Sequence, residues 1–187
     1  PEARLWMLDG IAGGLQPWWH HVGAYHEDRR MYRTAESVYR WHKDHEEFLV
    51  NRQPIASVGV VWSQSNMDYF GRDDADVMVE LPWRGITQAL IRARLPYLPV
   101  HADHLERDAA QFSLLVLPNL GAMSDAQVAS VRRFVERGGG LLATGEASRF
   151  NEWGDPRPDF ALADLFGAHV TNPPGVSDEA RRKKQAS

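Results

Sequence analysis

The 187-residue chain contains no cysteine. That excludes disulfides, cysteine-ligated zinc and any thiol nucleophile. It also lacks an apolar run approaching the roughly 18 residues that suggest a membrane span. Charge of one sign is not in excess: 21 Lys and Arg face 25 Asp and Glu, for a formal net charge of −4. Such a balance gives no general pull toward nucleic acid or acidic lipid. The chain opens on Pro1 instead of Met, with no positively charged segment leading into an apolar one. The start therefore reads as a cut inside a longer polypeptide or an incomplete gene. The lack of cysteine fits the cytoplasm, and no cofactor is expected.

What is present is an ordinary globular composition, 43% hydrophobic and 25% charged. Seven tryptophans are many for this size. Trp6, Trp18, Trp19 and Trp41 fall in the first 53 residues.

The chain reads as three parts. Residues 1–53 predict helix, strand, helix. Glu2–Leu8 is helical and ends near Gly10. Leu15–His20 is extended, because Pro17 biases Gln16 away from helix. Asp28 caps a long amphipathic helix over 29–50, where Ala35, Val38, Trp41, His42, His45 and Leu49 recur at spacings of three and four. One strand cannot form a core, so this part must pack on something else.

Residues 54–173 predict a complete α/β unit. Ile55–Trp62 is nearly continuous apolar, as in a parallel strand covered on both faces. Residues 63–76 read as a polar loop, with Gly71, Asp73, Asp74 and Asp76. A helix over 83–95 carries Ile86, Leu90 and Ile91 on one face. Strands follow at 97–100, 112–117 and 141–144. Ser124 and Gln127 form a capping-box pattern before Val128, Val131, Phe134 and Val135. A short helix over 161–166 and an edge strand at 169–171 complete the unit. The alternation argues a doubly wound, mainly parallel sheet. Residues 174–187, with Arg181, Arg182, Lys183 and Lys184, read as a solvated tail. The three parts carry net charges of −1, −5 and +2.

Candidate chemistry is sparse. Ser63-Gln64-Ser65-Asn66 lies where open α/β sheets bind ligands, but it lacks a Gly-rich signature and acidic residues follow it. A structural loop is the preferred reading. Thr144-Gly145-Glu146-Ala147-Ser148 follows a strand in the manner of a nucleophile elbow, with Glu146 or Ser148 at the exposed position. A serine hydrolase would need a histidine base, and His101, His104 and His169 are the candidates in this unit. A plain turn is again preferred. His20, His21, His26, His42 and His45 cluster early. His42 and His45 share a helix face, but no third ligand has a fixed spacing, so no metal is expected. Trp18, Trp19 and His20 could stack on and bind a sugar. Met67, Tyr69, Phe70 and Trp83 put aromatics and Met into residues 63–83, a composition typical of interface cores.

The stretch Gly10–His20, then Asp28-Arg29-Arg30 and Asn51–Ala56, resembles the last helix–strand–helix of a glycosidase (β/α)8 barrel, in hypothetical glycosyl hydrolases related to family-42 β-galactosidases. The next unit resembles the β-galactosidase trimerisation domain, which has a class I glutamine-amidotransferase-like fold. The motifs are Val58–Ser63, Arg84-Gly85, Leu115-Val116-Leu117-Pro118-Asn119 and Phe134–Leu141. The resemblance implies an assembly module and self-association, with a trimer suspected. Working amidotransferases place a cysteine at the elbow where this chain has Glu146, so thiolate amidotransfer is excluded. A retaining glycosidase needs two carboxyls about 5 Å apart. In the resembled enzymes these come from earlier barrel strands, so the chain alone is expected to be inactive. Trp18, Trp19 and His20 would sit at the active face of such a barrel. Two alternatives stay open: an independent small-ligand-binding α/β module, and a hydrolase acting through Ser148 or Glu146.

Overall fold

The computed structural model describes residues 2–20, 27 and 29–171. The Asp28 cap, His21, His26 and the 174–187 tail lie outside the described residues. The chain divides into two compact units, Pro1–Ile55 and Ala56–Ser187.

In the first unit, helix α1 (Glu2–Ala12) packs on α2 (Arg30–Asp44) through Met7, Ile11, Ala35 and Val38. Arg4 Nε reaches the Thr34 carbonyl at 2.9 Å. Helix α1 runs through Gly10, and the turn comes at Gly13 and Gly14. Helix α2 stops at Asp44, followed by a 3-10 turn over Glu46–Phe48. The expected strand at 15–20 is not formed. A strand needs a ladder partner, and none exists among the described residues of this unit.

The second unit carries the sheet. Strands β1 (Val58–Trp62), β2 (Tyr97–His101), β3 (Leu114–Leu117) and β4 (Gly140–Ala143) lie in the order β2-β1-β3-β4, all parallel. The stretches 58–62, 112–117 and 141–144 are thus neighbours, as their apolar runs predicted. Alternation along the strands feeds two cores. Val58, Val60 and Val116 face helix α3 (Leu81–Arg92) through Trp83, Ile86 and Leu90. Val61, Leu115 and Leu117 face the other layer. There α4 (Leu105–Asp108), α5 (Asp125–Glu136) and α6 (Ala163–Phe166) contribute Leu105, Val128, Val131, Phe134 and Leu165. Helices on both faces make this a doubly wound α/β fold. Among the described residues, no helix is long and apolar enough to cross a membrane.

Local chemistry explains α5. Ser124 Oγ accepts from the Gln127 amide at 3.2 Å, and Gln127 Oε1 accepts from the Ser124 amide at 2.9 Å. Both halves of the capping box are present. Three expectations for this second unit need correction. The expected loop at 63–76 is helical from residue 64 onward: π-helical turns at Asn66–Gly71 and Asp76–Glu80 flank a 3-10 turn at Arg72–Asp74 and run into α3. Burial of Phe70 and Val79 against Ala122 and Phe150 holds this shape despite the acidic residues. Ile91 is exposed instead of sharing the buried face of α3. Residues 169–171 are not a strand; His169 and Val170 are instead tied to Asp159.

Candidate functional site

The strand order reverses direction between β1 and β3, the switch point where open α/β sheets form their ligand crevice. Here that crevice is filled by two asparagines. Asn66, only 1% exposed, donates from Nδ2 to the Asn119 carbonyl at 3.2 Å. Its Oδ1 accepts from the Ala122 amide at 2.9 Å. Asn119 follows β3 with φ of 48°, a left-handed conformation that asparagine tolerates well. Its Nδ2 donates to the Met78 carbonyl at 2.6 Å and its Oδ1 accepts from the Glu146 amide at 2.8 Å. The Asn119 amide donates to Thr144 Oγ1 at 3.1 Å. Ser63 Oγ accepts from the Asn66 amide at 3.2 Å. Ser63 and Asn66 are therefore structural, their side chains turned inward to protein partners, while Gln64 stays exposed and donates to Asp68 Oδ1 at 2.9 Å.

The turn after β4 is built around the same bracket. Gly145 has φ of 63°, and a β-carbon there would collide with Asn119 Oδ1. Ser148 sits at φ of 64° with no exposed surface. Its Oγ accepts from the Leu162 amide at 3.2 Å, while its amide donates to the Leu120 carbonyl at 2.8 Å. A hydroxyl so enclosed cannot meet a substrate, which removes the physical basis for a Ser148 hydrolase. His169, a candidate base, holds Asp159 instead, at 2.6 Å. That hydrogen bond, then those from the Val170 and Phe160 amides, pull the Asp159 carboxyl down to about 2. Among the described residues, no group of three or more His, Asp and Glu could hold a metal.

Beside the switch point lies an open groove of about 580 Å³. Its walls come from the ends of two strands, where Trp62 is in register with His101. The helical run 80–84 adds Glu80, Trp83 and Arg84. The Trp62 and Trp83 indoles meet edge to face, with centroids 5.8 Å apart and planes at 79°. This groove is not legible in the sequence, because its residues come from three separate segments. The asparagine bracket was partly visible, since Asn119 ends the Leu-Pro-Asn motif.

The aromatic and histidine residues of the sequence motifs fall in different environments. Trp18 is 76% exposed and tilts against His20 at 5.1 Å. Trp19 is half-buried against the core of the first unit. Tyr39 Oη donates to the Pro17 carbonyl at 3.2 Å, anchoring this stretch to α2. His42 is buried and His45 stacks on Trp41 at 5.0 Å. Phe70 belongs to the core of its own unit, 5% exposed against Phe150, so it offers no surface for a partner. Met67 and Trp83 are half-buried, and Tyr69 is exposed, packing edge to face on Trp153 at 5.4 Å. Trp153, Val77 and Leu81 are exposed as well.

The sequence matches no family model and no curated protein. Solved structures do resemble it. The β-galactosidase of Bacillus circulans sp. alkalophilus superposes with a TM-score of 0.76 at 17% identity, over 90% of this chain and 28% of that one. The β-galactosidase of a Rahnella species gives 0.70 at 19%, over 87% and 27%. A catalytic mutant of a GH42 β-galactosidase from G. stearothermophilus gives 0.64 at 17%, over 79% and 22%. The chain thus spans under a third of the length of each of these three enzymes. At these identities the likeness is one of fold: this chain has the fold of a part of those β-galactosidases.

Proposed function

We propose that the chain is a non-catalytic portion of a glycosidase-like, carbohydrate-active protein, and that its α/β unit serves in oligomer assembly. The observation that carries the assembly role is the exposed apolar surface of residues 69–81 and 153. Tyr69, Val77, Leu81 and Trp153 leave large apolar side chains in water. Aromatics are enriched in the buried centres of interfaces, and exposure on this scale costs solubility unless a partner covers it. The filled switch point and the enclosed Ser148 leave the usual chemical positions of the fold occupied by structural contacts. Glu27 and Asp28 adjoin in sequence, which poorly suits them to face each other across a sugar ring. Trp18, Trp19 and His20 are proposed to contribute to sugar binding in the complete parent protein, and a trimer is the proposed assembly.

Sedimentation velocity of the 187-residue chain tests this at tens of micromolar, roughly the range where a modest interface populates. The expected result is a discrete oligomer that Tyr69→Ala, Val77→Ala, Trp153→Ala together convert to monomer. A monodisperse wild-type monomer, or an oligomer indifferent to the triple substitution, would refute the assembly role.

A further inference from the structure

We infer that the open edge of β4 is a docking site for a short extended peptide segment of another chain, which joins the sheet there as a fifth strand. The site uses none of the residues proposed for assembly. The order β2-β1-β3-β4 leaves two edges. Edge strands are commonly guarded by proline, charge or a bulge. Strand β2 carries Pro99, which has no N–H to offer a further strand. Strand β4 is Gly140-Leu141-Leu142-Ala143, without proline or charge, and Leu142 is 45% exposed.

The backbone of β4 decides the ligand class. The amides of Gly140 and Thr144 donate toward β3, to the Ser113 and Leu117 carbonyls at 2.8 and 3.1 Å. Alternation along the strand turns the N–H and C=O of Leu141 and Ala143 the other way, outward. Those groups make no hydrogen bond with any described residue. Beside them lies a groove of about 560 Å³, walled by Val135, Phe160, Leu165, Phe166 and Ala168. No lining residue has a polar side chain, so the polar atoms of the groove are main chain. An ion finds no charged side chain there, and a hydrocarbon would leave the strand edge unsatisfied. An extended backbone with an apolar side chain at every second position meets both demands.

The dimensions select a short segment over a second copy. Four residues give about 13 Å of edge, with two of them bonding outward. A stable contact between copies buries about 1,200 Å² or more, which so short an edge does not supply. The chain's own residues 172–187 do not suit the groove either. They hold Pro173 and Pro174, four consecutive basic residues, and Val176 as their one large apolar side chain, so they offer no alternating apolar pattern.

The test titrates the full 187-residue chain with an end-capped peptide, Lys-Thr-Val-Thr-Val-Thr-Val-Lys, and with two forms of it, N-methylated at every threonine or at every valine. Fluorescence anisotropy of the labelled peptide and amide hydrogen exchange by NMR are the readouts. Saturable binding is expected with a Kd of about 10–500 μM, together with slowed exchange at the Leu141 and Ala143 amides. Only one methylated form should keep binding, because a strand presents alternate amides to each side. With the valines in the groove, parallel addition turns the threonine amides to β4 and antiparallel addition turns the valine amides there. Binding of both methylated forms, or of neither, would overturn the inference. So would no saturation by about 5 mM, or slowed exchange along β2 instead of β4. Slow exchange at Leu141 and Ala143 without peptide, lost on dilution to monomer, would overturn it too, by making a second copy the occupant.

Discussion

Replacing Asn66 by aspartate changes one atom in the filled crevice and turns its hydrogen bonding into a pH-dependent quantity. Asn66 is 1% exposed, donating from one side-chain atom to the Asn119 carbonyl and accepting at the other from the Ala122 amide. In Asn66→Asp a protonated carboxyl can reproduce both bonds. An ionised one sets a buried charge against the Asn119 carbonyl oxygen. Burial and that repulsion both favour the neutral form, so the folded-state carboxyl is raised, by about 3 units for a fully buried group. At about 1.36 kcal/mol per unit, the penalty reaches about 4 kcal/mol. The sign follows from proton counting: the unfolded chain loses its proton near pH 3.9 while the folded variant keeps it. Stability relative to wild type therefore falls from about pH 4 up to the folded value near 7, and is level above it. Urea denaturation of wild type and variant at pH 4 and pH 7.5, followed by circular dichroism, measures the difference. A penalty under about 1 kcal/mol at pH 4 and near 4 kcal/mol at pH 7.5 is expected. An equal penalty at both pH values, or none at 7.5, would refute the claim that the Asn66 side chain is buried with both of its polar ends bonded to protein.

Two further outcomes follow from neighbouring contacts. Gly145→Ala should cost about 2–4 kcal/mol by thermal melting, part from the left-handed backbone and part from displacing Asn119. In an Asn119→Ala background that cost should fall to the backbone share of about 1–2 kcal/mol, a coupling that a double-mutant cycle reads directly. The Asp159 carboxyl should titrate at about 2 by NMR. His169→Ala should return it toward the ordinary value of about 3.9. Because the folded-state value is depressed, the stabilisation from this contact is present above about pH 4 and lost as pH falls toward 2. Unchanged titration in His169→Ala would refute the role given to the imidazole.

The features decided by the sequence itself are those whose cause lies within a few residues. Helix α5 is written in Ser124, Gln127 and an apolar face of period 3.6, and all of it appears in the structure. The strands are legible because Val58–Trp62 and Leu114–Leu117 are apolar without alternation, which suits only a sheet covered on both sides. The doubly wound class follows from their order along the chain. Tertiary structure decided everything that needs a partner distant in sequence. Residues 63–76 look like a polar loop, but Phe70, with Val79 just beyond them, finds Ala122 and Phe150, and that burial outweighs a sequence rich in aspartate. Residues 15–20 favour an extended backbone, yet no described neighbour supplies a ladder, so no strand forms. The same holds for function. Ser148 sits in an elbow-like motif, and only the contact with Leu162 reveals that its hydroxyl is enclosed. Asn66 and Asn119 are 53 residues apart, and Trp62, Trp83 and His101 come from separate elements. Hydrogen bonds and pockets depend on distances of a few ångströms between such segments, which spacing along the chain does not encode.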